Sequence, residues 1–153
     1  MLFKKSKNAI VIGCSRLGAN MAGTLCQEGY HTVIVDKDSS AFQKLTEQFN
    51  GIEIKGDATD IATLEKVGIK EADMLIACTQ SDNVNSLICQ IADRICHIPH
   101  VFMCLDDPEK EKLIDDFNII PIEPFTLSLA EFDRLTHSLS TVQDIGWQAL
   151  VSD

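Results

Sequence analysis

Short apolar runs alternate with amphipathic stretches along this chain, and that alternation sets the expected fold before any single residue is weighed. Asn8–Ile12, His31–Val35, Ile52–Lys55, Met74–Ala77, His100–Cys104 and Ile119–Ile122 read as strands, because they are continuous and rich in Ile and Val rather than alternating with polar residues. Continuous runs suit strands covered on both faces. Between them lie stretches with apolar positions at helical spacing: one reaching Gln27, then Ser39–Gln48, Ile61–Val67, Asp82–Cys96, Pro108–Phe117 and Leu127–His137. Parallel neighbours need a crossover of about a dozen residues, so strict alternation predicts right-handed βαβ units. The expectation is an α/β fold, a doubly wound parallel six-stranded sheet with helices on both faces.

Punctuation agrees with these boundaries. Gly29 stands where the first helix wants a left-handed cap, Asp38 or Ser39 where the second wants an N-cap, and Gly68 after the third. Pro121 and Pro124 bracket the end of the last strand, as fits a chain leaving the sheet edge. Residues 1–139 are expected to form the domain; 140–153, with Trp147, show no clear periodicity and read as a tail.

At 153 residues the chain has room for one such domain and for no second catalytic one. No apolar run approaches the roughly 20 residues that span a bilayer, so direct membrane insertion is not expected. The basic N-terminus (Lys4, Lys5, Lys7) runs into a glycine loop rather than a cleavage site, and reads as a solvated end rather than an export signal. A formal net charge of −10 opposes binding to nucleic acid. Six cysteines without a CxxC pair, inside a regular core, read as free thiols in a reducing cytosol.

The chemistry begins in the turn after the first strand, Gly13-Cys14-Ser15-Arg16-Leu17-Gly18. In the Rossmann-like dinucleotide fingerprint one glycine makes the tight turn, a second admits the pyrophosphate and a third lets helix and strand approach. Gly13 and Gly18 match, while Ser15 replaces the middle glycine; its Cβ narrows the approach and its hydroxyl offers a hydrogen bond instead. The helix amides form an anion site to which Arg16 adds charge. Asp36, with Lys37 after it, ends the second strand at the ribose-binding spacing of roughly 20 residues. A carboxylate there accepts ribose hydroxyls and repels a 2′-phosphate. Asp57, where the third strand gives way to the third helix, reads either as a hydrogen-bond acceptor near adenine or ribose or as a turn-former or N-cap, as Thr59 and Asp60 also could.

Together with Gly56–Asp60, Gly68–Asp73 and Thr79–Asn85, these motifs resemble the N-terminal nucleotide-binding domain of the Trk/Ktr potassium-uptake regulators, over about residues 8 to 137. The resemblance implies a cytoplasmic regulatory subunit, not an enzyme, held at the inner face of the plasma membrane through a potassium-translocating membrane partner. It implies assembly as a homo-oligomer, dimer or ring, or pairing with a related subunit. The implied cofactor is an adenine nucleotide (AMP, ADP, ATP or NAD(H)), with no metal required. By position, Gly13, Ser15, Arg16 and Gly18 would face phosphate, Asp36 the ribose, Asp57 and Ala58 the adenine, and Thr79 and Asp82 the other half of the cleft, with Cys14, Leu17 and Lys37 as further candidate contacts. Two departures stand out: Met103-Cys104 where such domains often carry Ala-Arg, and no second, smaller ligand-binding domain within the sequence. Leu127, Ala130, Leu135 and Leu139 lie on the helix that resembles the family's subunit-pairing element, and equally fit a core face.

Weaker groupings add little. Cys14, Cys78 and Cys104 would converge near the cleft if the strand order is 3-2-1-4-5-6, where a metal or redox site competes with the plainer reading of small buried hydrophobes. Cys96, His97 and His100 lack a partner pair for a metal. No nucleophile with a base and an orienting group stands out. The competing readings are a small NAD-dependent oxidoreductase and an assembly domain whose nucleotide site has decayed.

Overall fold

A computed structural model describes residues 5–150, with side chains through 139; Lys4 and the packing of Trp147 lie outside the described residues. The chain divides into two compact units, Met1–Ile122 and Glu123–Asp153.

The first unit is a six-stranded sheet in the order β3-β2-β1-β4-β5-β6, with every neighbouring pair parallel. Its strands are β1 (Lys7–Ile12), β2 (Tyr30–Asp36), β3 (Ile52–Lys55), β4 (Met74–Ala77), β5 (His100–Cys104) and β6 (Ile119–Ile122). The helices are α1 (Arg16–Gln27), α2 (Ile61–Lys66) and α3 (Asp82–Arg94). The doubly wound Rossmann-like sheet expected from the alternation is thus the observed one.

Side chains of β1 divide the core. Ile10 and Ile12 face α2 and α3 in one cluster with Val35, Leu64, Leu75, Ile88 and Met103. Ala9 and Val11 face α1 in the other, with Ala19, Ala22, Leu25, Ile34 and Ile76. Each buried Ile or Leu is worth about 1.5–3 kcal/mol relative to exposure, so both faces of the central strands must stay covered. Pro121 lies in β6, an edge strand, where its missing N–H costs least.

Two expected helices are shorter and tighter. Ser39–Gln48 is a 3-10 helix only over Ser39–Lys44, and Pro108–Phe117 only over Pro108–Leu113. Each is capped by an aspartate, Asp38 or Asp107, whose side chain accepts an amide two residues on. Such short segments are poor α-helix nuclei, and i→i+3 bonds such as Ala41 N–H to Asp38 O satisfy them locally. The third helix ends at Arg94 rather than Cys96; His97, at φ 52°, takes the left-handed position that reverses the chain.

The second unit is α4 (Pro124–Leu150), longer than the Leu127–His137 span that its periodicity predicts. Arg134 grips Glu131 with two hydrogen bonds of 2.7 and 2.8 Å on its surface. Phe125, Leu127, Leu129, Phe132, Leu135 and Leu139 are all exposed.

Candidate functional site

The strand order reverses between β1 and β4, so their carboxyl ends diverge and leave a crevice, the general position for ligands in open α/β sheets. A cleft of about 440 Å³ opens there. It is bordered by the β1–α1 turn, the end of β2, the 3-10 helix Ser39–Lys44, the β3–α2 turn and the segment after β4.

The turn is built by close approach. Gly13 has φ +93°, and a Cβ there would meet the Cys78 carbonyl oxygen at 2.6 Å. A Cβ on Gly18 would meet the Gly13 carbonyl oxygen at 2.2 Å. Both glycines are therefore required by packing alone, whatever the cleft binds. Ser15 is the N-cap of α1, its hydroxyl oxygen accepting the Gly18 amide at 3.0 Å. Its oxygen also lies 3.2 Å from Cys78 Sγ, a pair in which either group can donate.

Asp36 points at the turn. Its Oδ2 accepts the Cys14 amide at 2.7 Å and its Oδ1 the Asp38 amide at 2.9 Å, which ties the end of β2 to the mouth of the loop. Lys37 reaches across to Asp57 at 3.2 Å. The other oxygen of Asp57 accepts both the amide and the hydroxyl of Thr59, at 2.9 and 2.6 Å. Those Thr59 bonds first, and Lys37 after them, hold its carboxyl below the usual carboxylate range. Asp57 is thus a turn-former and an ion-pair partner at once, while buried Ala58 lies beside it on the cleft wall.

Thr79 lines the opposite wall, and its position is set by Asn85. Asn85, 1% exposed, accepts the Thr79 amide at 2.9 Å and its hydroxyl at 2.6 Å. Its Nδ2 donates to the carbonyls of Thr79 and Cys104 at 3.2 and 3.0 Å, stapling the ends of β4 and β5 together. Beneath, Cys78 is pulled below the ordinary thiol range by hydrogen bonds from Cys104, Ser15 and the Gly18 amide.

The structure therefore brings Gly13, Cys14, Ser15, Asp36, Lys37, Asp57, Ala58 and Thr79 to one cleft. Arg16 and Leu17 are exposed on the first turn of α1 and do not line it; Gly18 lies behind the turn. Asp82 is also elsewhere: its buried carboxylate accepts the amides of Asp106 and Asp107 at 2.9 and 3.0 Å, anchoring the segment after β5 to the start of α3. Sequence reasoning missed Lys44, whose ammonium lies 3.4 Å from the Cys14 carbonyl and lines the cleft. Its signal was a basic residue ending the segment after Asp36, hidden by reading that segment as a longer α-helix. Among the described residues no group of three metal-capable side chains is assembled.

A parallel Rossmann-type sheet with a glycine turn, an acidic residue ending β2 and a cleft at its switch point defines a nucleotide-fold domain. The profile of the TrkA-N domain matches residues 9–121, and the chain belongs to that family. The Trk system potassium uptake protein TrkA of Streptomyces coelicolor is 28% identical over 110 residues, 72% of this chain and 49% of that one. The TrkA homolog of Pyrococcus abyssi is 32% identical over 107 residues, 70% of this chain and 47% of that one. The chain spans about half the length of these curated relatives. Among solved structures, the GsuK RCK domain superposes with a TM-score of 0.75 at 18% identity, over 90% of this chain and 30% of that one. The Kef CTD of Shewanella denitrificans, solved in its AMP-bound form, gives 0.67 at 17% identity over 94% and 91%. The GsuK channel bound to NAD gives 0.66 at 18% over 86% and 24%. At these identities the structures bear on the fold.

Proposed function

We infer that this chain is the nucleotide-sensing part of a potassium-uptake regulator, a binding module rather than an enzyme, working at the cytoplasmic face through a potassium-translocating membrane partner. The observation that carries the reading is the Asp36 carboxylate turned onto the Cys14 amide across an open cleft, the arrangement that sets a sugar acceptor beside a phosphate turn. Relatives named for Trk potassium uptake, and a neighbour solved with AMP and another with NAD, support the same ligand class.

In this reading the amides opening α1 meet the phosphate, with the Ser15 hydroxyl able to donate its proton to it. Lys44 takes the cationic place that the sequence assigns to Arg16. Asp36 holds the ribose, and Lys37, Asp57 and Ala58 border the adenine. Thr79 forms the far wall; Asp82 acts through the loop it anchors. The ligand is AMP, ADP, ATP or NAD(H), and its carboxylate-bound ribose excludes a 2′-phosphate. The exposed Phe125, Leu129, Phe132, Leu135 and Leu139 fall at the three- and four-residue steps of one helical stripe, which supports burial of α4 against a second subunit.

A thermal-shift panel of AMP, ADP, ATP, NAD and NADH tests the reading. A ligand at 100 times its dissociation constant stabilises the fold by about 2.7 kcal/mol. At least one nucleotide should raise the midpoint of the wild type, and Asp36→Asn should lose that rise while NADPH gives none. Equal shifts in both proteins, or no shift with any nucleotide, would refute it.

A further inference from the structure

Three cysteines gather on the α1 face of the sheet, and two of them stand side by side. The β4–β5 register pairs Ala77 with Met103, so the next positions along both strands are Cys78 and Cys104. Neighbouring strands lie about 4.8 Å apart, inside the Cα separation of roughly 4.4–6.8 Å that a disulfide spans. Both side chains are buried in the same cluster on the α1 face of the sheet. Asn85 clamps both backbones just beyond, which keeps the pair in register where the ladder ends. Both thiols are free.

The surroundings of the two sulfurs differ. Cys78 lines the cleft, and it lies 3.2 Å from the Ser15 hydroxyl at the amino end of α1, where hydrogen-bond donors and the helix dipole favour an anion. Cys104 has no such donors, and its contact with Cys78 together with burial raises its thiol. Cys89, on the other face of the sheet, is fully buried and pushed up to about 12. A nucleophilic thiol at the floor of an open cleft with a resolving thiol at the neighbouring register position is the pattern of an oxidant-sensitive pair.

We propose that Cys78 and Cys104 form a peroxide-sensitive thiol pair that closes to a disulfide across β4 and β5. The Cys78 thiolate attacks one oxygen of hydrogen peroxide; the O–O bond breaks, hydroxide leaves and takes a proton to become water, and Cys78 becomes a sulfenic acid. Cys104, giving up its proton, then attacks that sulfur; the S–S bond forms, the S–O bond breaks and a second water leaves. The two thiols lose two electrons and two protons, and one peroxide is reduced to two waters. The product takes from the Ser15 hydroxyl the thiolate that faced it, so oxidation alters the turn at the mouth of the cleft.

The test is intact mass and non-reducing peptide mapping of the full chain after exposure to hydrogen peroxide. The expected result is loss of two of the six thiols, a mass lower by two hydrogens, and a Cys78–Cys104 link located by fragmentation and removed by thiol reductant. Cys78→Ser and Cys104→Ser should each abolish the link, and Cys96→Ser should keep it. Mapping the wild type decides the matter even where a variant folds poorly. A link through Cys14, Cys89 or Cys96, oxidation of Cys78 beyond sulfenic acid without a link, or six intact thiols would overturn the proposal. None of these readouts depends on nucleotide binding.

Discussion

Replacing Gly13 by alanine imposes two separable costs, and Gly29 supplies the control for one of them. Both glycines hold positive φ, +93° and +87°. An alanine at either pays roughly 1–2 kcal/mol for the left-handed conformation, less a common gain of about 0.4–1 kcal/mol from a stiffer unfolded chain. At Gly29 nothing lies within 4 Å of the new Cβ. At Gly13 it would stand 2.6 Å from Cys78 O, 2.7 Å from Cys78 C and 2.8 Å from Thr79 N, all backbone atoms that move only if β4 moves. Overpacking of that kind costs typically about 1–3 kcal/mol. The difference between Gly13→Ala and Gly29→Ala in urea unfolding, read by linear extrapolation, should therefore be about 1–3 kcal/mol. Equal destabilisation by the two variants, within about 0.5 kcal/mol, would show that β1 and β4 are not held together at this turn as described.

Asn85→Ala removes the bonds to Thr79 and Cys104 and leaves buried backbone groups unpaired, which at about 1–3 kcal/mol per group should destabilise the fold by about 2–4 kcal/mol in the same assay and speed amide exchange at Thr79. Thr46 Oγ1 is buried without a hydrogen-bond partner; Thr46→Val should be neutral or stabilising by up to about 1 kcal/mol, and a loss greater than that would reveal a missed partner. Asp57 is held below the usual carboxylate range, so its bonds contribute stability above the unfolded value near pH 4 and lose it as pH falls through the folded value. Thr59→Val should accordingly be less stable than wild type at pH 7, with the gap closing in acid; a gap that widens in acid contradicts the assignment.

The strands were legible because burial on both faces leaves continuous apolar runs, and the parallel pairing followed from the crossovers between them. Ser39–Gln48 was less legible, since helical spacing cannot distinguish an α-helix from a tight 3-10 turn followed by extended chain. That error concealed Lys44. Asp82 looked like a cleft residue by position in a motif, yet whether a carboxylate at the start of α3 turns to a ligand or to the amides of Asp106 and Asp107 depends on a loop more than 20 residues away. Asp57 forms the turn that one of its sequence readings expected, and it lies on the cleft wall. Its place beside the cleft was predictable from the end of β3, whereas the Thr59 bonds and the Lys37 ion pair needed coordinates.

The account rests on a nucleotide lying between the 13–18 turn and Asp36, and a two-dimensional amide NMR titration of the wild type with AMP and with NADH tests that most directly. The amides of residues 14–18, 37–38 and 57–58 should shift together and saturate with one dissociation constant for at least one of the two ligands. Shifts that cluster away from that cleft, or none at millimolar concentrations of either, would contradict it.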